Sequence, residues 1–465
     1  MFKRDTYMER RRKLREAVGE GLILICGNDE SPMSYADNCY PFTQDSTFLY
    51  FYGIDRAGLF GVIDLDNNKE YIFGTDFTID DTVWMGPLSF LREEAKKCGI
   101  EETGEISDLT ALLSEAKSQG RRIHYTSQYR HLNIINLSKW LNLGVDEVNE
   151  NISEELTYAV VNLRNVKTQE EIAELERATN VTREMHLAAM KYAKPGMKEH
   201  EVAAKVAEAA KKFNATHSFF TICTRNGQTL HNHNHSNTLQ EGDLLLLDCG
   251  ARLDNGYCGD MTSTMPVSGK FTEKQGDIYS LLMEMYDSAE AVLKAGITFK
   301  EVHLKVCRTL AAGMVDRGLM VGDIDEIVAS GAHALFMPHG LGHMIGMDVH
   351  DMENFGEKIV GYNGEEKSTQ FGLKSLRLGR ELEVGFAFTV EPGIYFIPEL
   401  IAKWKKDGTN AEFLNFDRIE EYLDFGGMRH EGDYIITEDG YRRLGDRMPK
   451  YIDEIEEVRR EAFTN

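Results

Sequence analysis

Two stretches of the chain end a strand-like run with a carboxylate. G-DLLLL-D-C-G spans 242–250 and contains Asp248, and G-FAFTV-E-P-G spans 385–393 and contains Glu391. A run of five mostly apolar residues indicates a buried strand, and a carboxylate at the end of such a strand is costly unless it is paired or binds a metal. The repeat therefore predicts two half-domains that converge on a cation site.

Further ligand-type residues follow in a fixed order. Asp260 comes twelve residues after Asp248, beyond a turn at 254–256, and on their own these two aspartates fit turn or capping roles equally well. The segment FMPHGLGHMIGMDVHD holds three histidines, and GGMRHEGDYIIT holds Glu431. Four carboxylates and one imidazole suit two hard or borderline divalent ions such as Mn²⁺. Bridging carboxylates hold such ions about 3.5–4 Å apart and acidify a water between them.

Composition and charge exclude several classes of protein. A net charge of -24 argues against nucleic acid or an anionic membrane as the partner. The seven cysteines are odd in number and form no CxxC pair, so neither a disulfide framework nor a zinc ribbon is expected. The charged N-terminus has no apolar core of the signal-peptide kind, and LILIC is too short to span a bilayer. We therefore expect a cytoplasmic protein.

The 465 residues are too many for one simple core, so two domains are expected. An α/β domain is predicted over 1–160 and an α+β domain over 161–465. Residues 34–53 are interpreted as strand and turn, and 59–73 as a hairpin with its turn at 67–68. Capping boxes predict helix starts at Thr168 and Thr272. The apolar residues 281, 282 and 285 are interpreted as the core face of the helix that Thr272 begins.

As a set, the motifs DCG…GD, HGLGH, DVHD, TVEPG and GGMRHE resemble those of the metallopeptidases of the pita-bread fold, peptidase family M24. Within that family the chain resembles the proline-specific branch, the Xaa-Pro aminopeptidases and prolidases. The stretch DNCYPFTQDSTFLYFYGID resembles that branch's N-terminal domain. The resemblance covers nearly the whole chain and implies a C-terminal pita-bread domain, a separate N-terminal α/β domain and a homodimer or homotetramer.

The resemblance also implies roles for individual residues. The ligands of two divalent ions, Mn²⁺ first and Co²⁺, Zn²⁺ or Fe²⁺ as alternatives, would be Asp248, Asp260, His343, Glu391 and Glu431. Asp260 and Glu431 would bridge the ions, and Glu391 would act as general base. His339 and His350 would also be catalytic, steadying the substrate and the tetrahedral intermediate. The residues that bind the substrate or support its binding would be His231, Arg377, Tyr395 and Arg429. Arg377 matches an arginine that can meet the substrate carboxylate in prolidases.

Four residues outside that set have open interpretations. His430 stands where relatives usually carry an aliphatic residue, and we expect it to face away from the metals. Trp84 resembles a tryptophan that reaches a neighbouring subunit, but a core aromatic is the favoured interpretation. The tract HNHNH suggests a metal site, yet we expect only His231 of its three histidines to matter.

The leading hypothesis is hydrolysis of the bond between an N-terminal residue and proline in peptides with proline at the second position. A prolidase restricted to dipeptides is the main alternative, and SLRLGREL supports it. A peptide-binding module with a degraded metal site, or a metal-independent hydrolase of the creatinase type, would not need all five ligand residues. Both are therefore disfavoured.

Overall fold

The computed structural model describes residues 2–464, which form two compact units of mixed helix and strand. One unit runs to Arg164 and includes Met352–Gly356, and the other comprises Asn165–Asp351 and the chain from Glu357 onward. The mixture of helices and strands in both units confirms the predicted α+β class. The return of a five-residue segment to the first unit was not predicted.

The first unit is built around a five-stranded sheet with the order β4-β3-β2-β1-β5. Pairing is antiparallel within β1-β2-β3 and parallel at both edges. The strands are β1 (Leu22–Cys26), β2 (Phe60–Asp64), β3 (Lys69–Phe73), β4 (Glu102–Gly104) and β5 (Ile123–His124). The helices are α1 (Arg4–Val18), α2 (Ser46–Tyr52), α3 (Ile79–Met85), α4 (Leu91–Lys97), α5 (Ile106–Ser118), α6 (His131–Leu141) and α7 (Glu154–Asn165), the last ending one residue into the second unit.

The interpretation of residues 34–53 as strand and turn is wrong for its second half, which forms α2. The Asp45 side chain caps this helix by accepting a hydrogen bond from the Phe48 N–H at 3.0 Å. Gly53 ends it in the left-handed conformation at a φ of 65°. All seven helical residues are buried, so tertiary packing outweighs the strand preference of their aromatic side chains.

The hairpin prediction is confirmed, because β2 and β3 pair antiparallel with Asn68 at positive φ in the turn. The core interpretation of Trp84 is wrong, because this residue is 86% exposed on α3. A capping box between Thr78 and Asp81 holds the start of α3, and none of the residues of this helix is buried. Local hydrogen bonds thus support this helix without a packed apolar face.

The second unit contains four small sheets, ordered β10-β8-β7, β11-β14-β15, β12-β13 and β6-β9. Its strands are β6 (Thr216–His217), β7 (Ile222–Thr224), β8 (Leu244–Cys249), β9 (Ala251–Arg252), β10 (Met261–Pro266), β11 (Ala387–Val390), β12 (Gly393–Tyr395), β13 (Gly427–Arg429), β14 (Gly432–Thr437) and β15 (Gly440–Arg443). Its helices are α8 (Gln169–Tyr192), α9 (Glu199–Lys212), α10 (Glu273–Glu290), α11 (Phe299–Asp316), α12 (Ile324–Ser330), α13 (Glu357–Val360), α14 (Pro398–Asp407), α15 (Phe416–Glu420) and α16 (Ile452–Thr464).

The capping boxes at Thr168 and Thr272 are confirmed as the starts of α8 and α10. On α10, the side chains of Leu281, Leu282 and Met285 are fully buried, which confirms the predicted core face. Across residues 2–464, the structure contains no helix both long enough and apolar enough to cross a bilayer.

Candidate metal centre

Two antiparallel strand pairs bring four carboxylates together in the second unit. In the first pair, Asp248 on β8 lies opposite Thr262 on β10, and Asp260 directly precedes β10. In the second pair, Glu391 directly follows β11, whose Val390 lies opposite Gly432 at the start of β14, while Glu431 precedes that strand. The two pairs are joined where the Glu431 N–H donates to the Thr262 carbonyl at 2.9 Å. The sequence repeat is therefore a repeat of strand pairs that each carry two carboxylates.

His343 is oriented so that its free lone pair faces the carboxylates. Its Nδ1 lies 3.0 Å from the Met344 carbonyl, which can only accept, so this nitrogen carries the proton. In the neutral ring, the form that binds a metal, Nε2 is then an acceptor, and it lies 3.4 Å from Asp260 Oδ2 and 3.9 Å from Glu391 Oε1. Acceptors facing one another in a buried site are unfavourable unless a cation lies between them.

Unsatisfied oxygens in the same place also fit a metal. Oδ1 of Asp248 and Oδ1 of Asp260 are buried and accept a hydrogen bond from none of residues 2–464. Ligand atoms of Asp260, His343 and Glu431 all lie within 4.8 Å of one another. Oxygen-rich ligands with one imidazole suit borderline divalent ions such as Mn²⁺. The residues present therefore fit the predicted metal centre.

The charges of this cluster oppose one another when no cation is bound. Burial, followed by the charges of Asp248 and Asp433, raises the pKa of Asp260 well above its usual range. Burial and the neighbouring Asp260 carboxylate likewise raise the pKa of Glu431. Burial also raises the pKa of Glu391. Each shift has the direction expected of carboxylates assembled for a cation.

Arg429 on β13 is the buried cation beside this cluster. Its guanidinium donates to Asp248 Oδ2, to Tyr395 Oη at 2.8 Å and to Thr262 Oγ1 at 3.1 Å. These three bonds tie the β8–β10 pair to β12, whose Tyr395 lies opposite Gly427 on β13. The fork of donors in an arginine suits such a hub, and lysine would reproduce only part of it.

Arg429→Met is therefore expected to lower the free energy of unfolding of the chelator-treated protein by about 3–5 kcal/mol, because it leaves buried Asp248 without its cation. Urea denaturation measures the loss. Arg442→Met is the matched control, since Arg442 pairs with Glu176 at the surface, and its cost should stay below about 1 kcal/mol. Equal losses in the two variants would show that Arg429 is not a buried hub.

His339 has both ring nitrogens engaged within the protein. Nδ1 donates to the Gly340 carbonyl at 2.8 Å, so Nε2 accepts from the Tyr395 hydroxyl at 2.9 Å. Arg429 donates to the same hydroxyl, which completes a chain from Arg429 through Tyr395 to His339. Burial, with the Arg429 charge as the second cause, lowers the pKa of His339 to about 3. His339 is thus a neutral imidazole at physiological pH.

A cavity of about 590 Å³ opens onto the carboxylate cluster. His350 lines it with its ring stacked on that of His343, at 3.7 Å between centroids and 10° between planes. His231 and Arg377 also line it, and Arg377 Nη1 lies 3.3 Å from Glu357 Oε1. All the ligand and substrate residues expected from the sequence line this cavity except Tyr395, which reaches it through His339 and Arg429.

Several residues of the site were not identified from the sequence. Thr262 Oγ1 donates to Glu431 Oε2 at 2.7 Å, and Thr389 Oγ1 accepts from the His343 N–H at 3.2 Å. Asp433 Oδ2 accepts from the Asp260 N–H at 3.1 Å. A hydroxyl or carboxyl on a strand carries no spacing signal of its own, since its partner is set by strand register. The cavity wall adds Phe219, Phe220, Leu230, His233, Pro338 and Ser375.

The histidines of uncertain role are now placed. His430 is buried away from the cavity, with its ring edge-on to Tyr286 at 4.7 Å, as predicted. His233 also lines the cavity beside His231, and the expectation that only His231 of the three matters stays a prediction. His235 instead binds the Thr221 carbonyl through Nε2 at 2.9 Å.

Comparison with known proteins agrees with this geometry. The family model of metallopeptidase family M24 matches residues 173–438, and that of the aminopeptidase P N-terminal domain matches residues 7–124. The chain belongs to metallopeptidase family M24. This finding confirms the resemblance inferred from the motifs, the pita-bread fold of the second unit and the separate N-terminal domain.

The relatives include both proline-specific activities. The chain is 30% identical to human Xaa-Pro dipeptidase, over 97% of this chain and 91% of that protein. It is 32% identical to a probable Xaa-Pro aminopeptidase of Fusarium vanettenii, over 95% of this chain and 93% of the other. The structure of an Escherichia coli aminopeptidase P variant with substrate (Glu383Ala in that protein's own numbering) matches with a TM-score of 0.82 at 29% identity, covering 100% of both chains.

Proposed function

We propose that this chain is a two-metal Xaa-Pro aminopeptidase, which hydrolyses the peptide bond between an N-terminal residue and proline. The observation that carries the proposal is the convergence of four carboxylates and the His343 lone pair at one end of an open cavity. The similarity to relatives of both proline-specific kinds supports the bond that is cleaved.

Asp248, Asp260, His343, Glu391 and Glu431 would hold the ions, with Asp260 and Glu431 shared between them. When bound, two Mn²⁺ ions would supply a Lewis acid for the peptide carbonyl and lower the pKa of the attacking water. Co²⁺, Zn²⁺ and Fe²⁺ are alternatives with the same ligands.

The protein side chains would position the peptide and move its proton. Glu391, at the cavity end of its strand, would accept a proton from the attacking water and deliver it to the leaving nitrogen. This delivery is essential because the amide nitrogen of proline carries no hydrogen and leaves only as a protonated amine. The neutral ring of His339 and the stacked ring of His350 would border the peptide carbonyl.

The wall of the cavity is suited to the proline side of the bond. Phe219, Phe220, Leu230 and Pro338 provide an apolar surface for a pyrrolidine ring. The guanidinium of Arg377 and the imidazoles of His231 and His233 also line the cavity. Apolar surface beside nitrogen donors fits a peptide whose second residue is proline.

A first assay tests the proposal directly. Protein stripped with a chelator and reloaded with Mn²⁺ is expected to cleave Arg-Pro-Pro as well as Gly-Pro. Cleavage of Gly-Pro alone would establish the alternative, a dipeptide-restricted prolidase. Cleavage of neither peptide by protein with bound Mn²⁺ would contradict both and favour a peptide-binding role.

Arg377 provides the sharper test of substrate length, because a guanidinium in the cavity can bind the free carboxylate of a dipeptide. If Arg377 has that role, Arg377→Ala should reduce kcat/KM for Gly-Pro about tenfold to a hundredfold more than for Arg-Pro-Pro, since a charged hydrogen bond is worth about 1.5–3 kcal/mol. Lys374→Ala is the matched control, because Lys374 is exposed and lies over Phe371. Equal losses on both peptides would remove this role from Arg377.

The oligomeric state, a homodimer or homotetramer, remains a prediction. The 86% exposure of Trp84 makes it available for a subunit contact.

A further inference from the structure

A second group of metal-binding side chains is buried elsewhere in the same unit. His303 and Cys307 are four residues apart on α11, so they share one face of the helix. His333 lies in a short 3₁₀ helix, Ala332–Leu335, that packs against them. All three residues are at most 2% exposed, and one ligand atom from each lies within 4.8 Å of the others.

The polar atoms of this group are poorly satisfied by the protein. Cys307 Sγ lies 3.4 Å from His303 Nε2, which is the one hydrogen-bond contact between the three side chains. Nδ1 of His303 and Nδ1 of His333 are buried and have no hydrogen-bond partner among residues 2–464. Buried polar groups are normally paired, so the unpaired His333 nitrogen in this enclosed cluster indicates a missing ligand, while His303 would bind through Nε2, the nitrogen in contact with the Cys307 sulfur.

Both imidazoles are in the form that binds metals. Burial, followed by the nearby His333 and His339, lowers the pKa of His303 to about 3. Burial lowers the pKa of His333 to about 4, partly offset by the Ile327 carbonyl. Each ring is therefore neutral at physiological pH and carries a nitrogen lone pair. Burial raises the pKa of the Cys307 thiol, so the metal-free residue keeps its proton.

The spacing of the donor atoms matches a coordination sphere. With metal–sulfur and metal–nitrogen bonds of about 2.3 and 2.0–2.1 Å, tetrahedral angles place sulfur and nitrogen about 3.6 Å apart. The observed separation of Cys307 Sγ and His303 Nε2 is 3.4 Å. Coordination therefore needs only small movements of side chains already held in place.

We propose that His303, Cys307 and His333 bind a soft, thiophilic metal ion, Cu(I) in particular, at a site separate from the carboxylate centre. The thiolate is a soft ligand of the kind that Cu(I) prefers, and imidazole is a borderline ligand that copper also binds. The thiol proton passes to solvent on binding, and a monovalent ion with one thiolate then leaves no net charge in the interior. A divalent ion such as Zn²⁺ would leave one uncompensated positive charge there, which is costly.

The ion would fasten α11 to the segment that leads into the cavity. The Phe336 N–H donates to the His333 carbonyl at 3.0 Å, and the Phe336 carbonyl accepts from the Tyr395 N–H at 2.9 Å. Two and three residues further on, Pro338 and His339 line the cavity. Binding at His333 would thus brace the loop that carries His339, whether or not the chain is a peptidase.

The test is an anaerobic titration of the full-length, chelator-treated protein with Cu(I) in competition with bicinchoninate. All proteins in this experiment carry Cys39→Ala, because Cys39 is partly exposed, whereas the other six cysteines are buried. We expect uptake of one tightly held ion per chain and a rise in Tm. X-ray absorption at the copper edge should show one sulfur and two imidazole nitrogens. The same titration with Zn²⁺ should give weaker binding at this site.

Cys307→Ala and, separately, His333→Leu should each remove this ion without changing Mn²⁺ uptake. Cys223→Ala is the matched control, since Cys223 is equally buried and its thiol faces the Glu199 carbonyl. Loss of Cu(I) uptake in Cys307→Ala but not in Cys223→Ala supports the site. Unchanged Cu(I) uptake in Cys307→Ala would overturn the site. An X-ray absorption spectrum without a sulfur neighbour, in protein that keeps His303, Cys307 and His333, would also overturn it. Tighter Zn²⁺ than Cu(I) binding would overturn the choice of ion.

Discussion

Glu431→Gln is expected to lower kcat by about 10³-fold or more and to reduce the bound Mn²⁺ by about one ion per chain. Glu431 is buried, and its ligand atom lies within 4.8 Å of those of Asp260 and His343. Glutamine keeps the shape of the side chain but presents one neutral oxygen and an NH₂ group, which cannot be shared by two cations. Loss of metal-assisted charge stabilisation is worth several kcal/mol, which corresponds to this fall in rate. Steady-state kinetics and metal analysis of the same preparation measure both effects.

Although the variant loses activity, its thermal stability should rise when no metal is bound. The carboxylates of Asp260, Glu391 and Glu431 have raised pKa values because they are buried together. Removing one of these charges relieves the repulsion, so chelator-treated Glu431→Gln should unfold at a higher temperature than the chelator-treated parent. With Mn²⁺ present the order should reverse, since the parent gains more from binding.

Glu383→Gln is the matched control for both measurements. Glu383 lies four residues before β11. Its side chain is exposed and pairs with Arg380 at 3.0 Å. Activity, metal content and both melting temperatures should stay close to those of the parent. Retention of activity and of two ions by Glu431→Gln would remove Glu431 from the proposed ligand set.

The elements that could be predicted from the sequence are those with local signals. The capping boxes at Thr168 and Thr272 use residues three positions apart, so the start of each helix is visible in a short window. The two strands that deliver Asp248 and Glu391 are apolar runs bounded by glycines, and both are strands. The candidate ligands were found because the same local pattern occurs twice.

The features that could not be predicted depend on distant contacts. The aromatic residues of α2 have strand propensity, and only their complete burial within the first unit explains the helix. Trp84 lies in a helix that has no buried residue, although its large apolar side chain favoured a position in the core. Thr262 reaches the centre because antiparallel register places it opposite Asp248, and Asp433 does so because its carboxylate, on a strand of another sheet, accepts from the Asp260 N–H. Composition and spacing carry no information on register between strands so far apart in the chain.

His339→Ala is expected to lower kcat by about 10²-fold while leaving both Mn²⁺ ions bound. His339 Nδ1 lies 3.9 Å from Glu391 Oε2, so the ring borders the centre without belonging to the proposed ligand set. A positioned imidazole contributes about 10²–10⁴-fold to proton-transfer chemistry, and the lower end applies because both ring nitrogens are already engaged. The loss should be the same across pH 6–9, because a group whose pKa is about 3 stays deprotonated throughout that range. A loss that grew toward pH 6 would show that the ring titrates there.

Tyr395→Phe separates the two possible functions of the hydroxyl between Arg429 and His339. Phenylalanine keeps the buried ring but removes the donor to His339 Nε2 and the acceptor for Arg429. If Tyr395 acts by orienting His339, the double variant with His339→Ala should be no slower than His339→Ala alone, because both changes interrupt one unit. Losses that multiply would instead assign Tyr395 to the Arg429–Asp248 pair, and the free energy of unfolding of Tyr395→Phe should then fall toward that of Arg429→Met. Measuring kcat and urea stability on the four proteins of this cycle distinguishes a hydrogen-bond chain that ends at His339 from one that ends at Asp248, a proposed metal ligand.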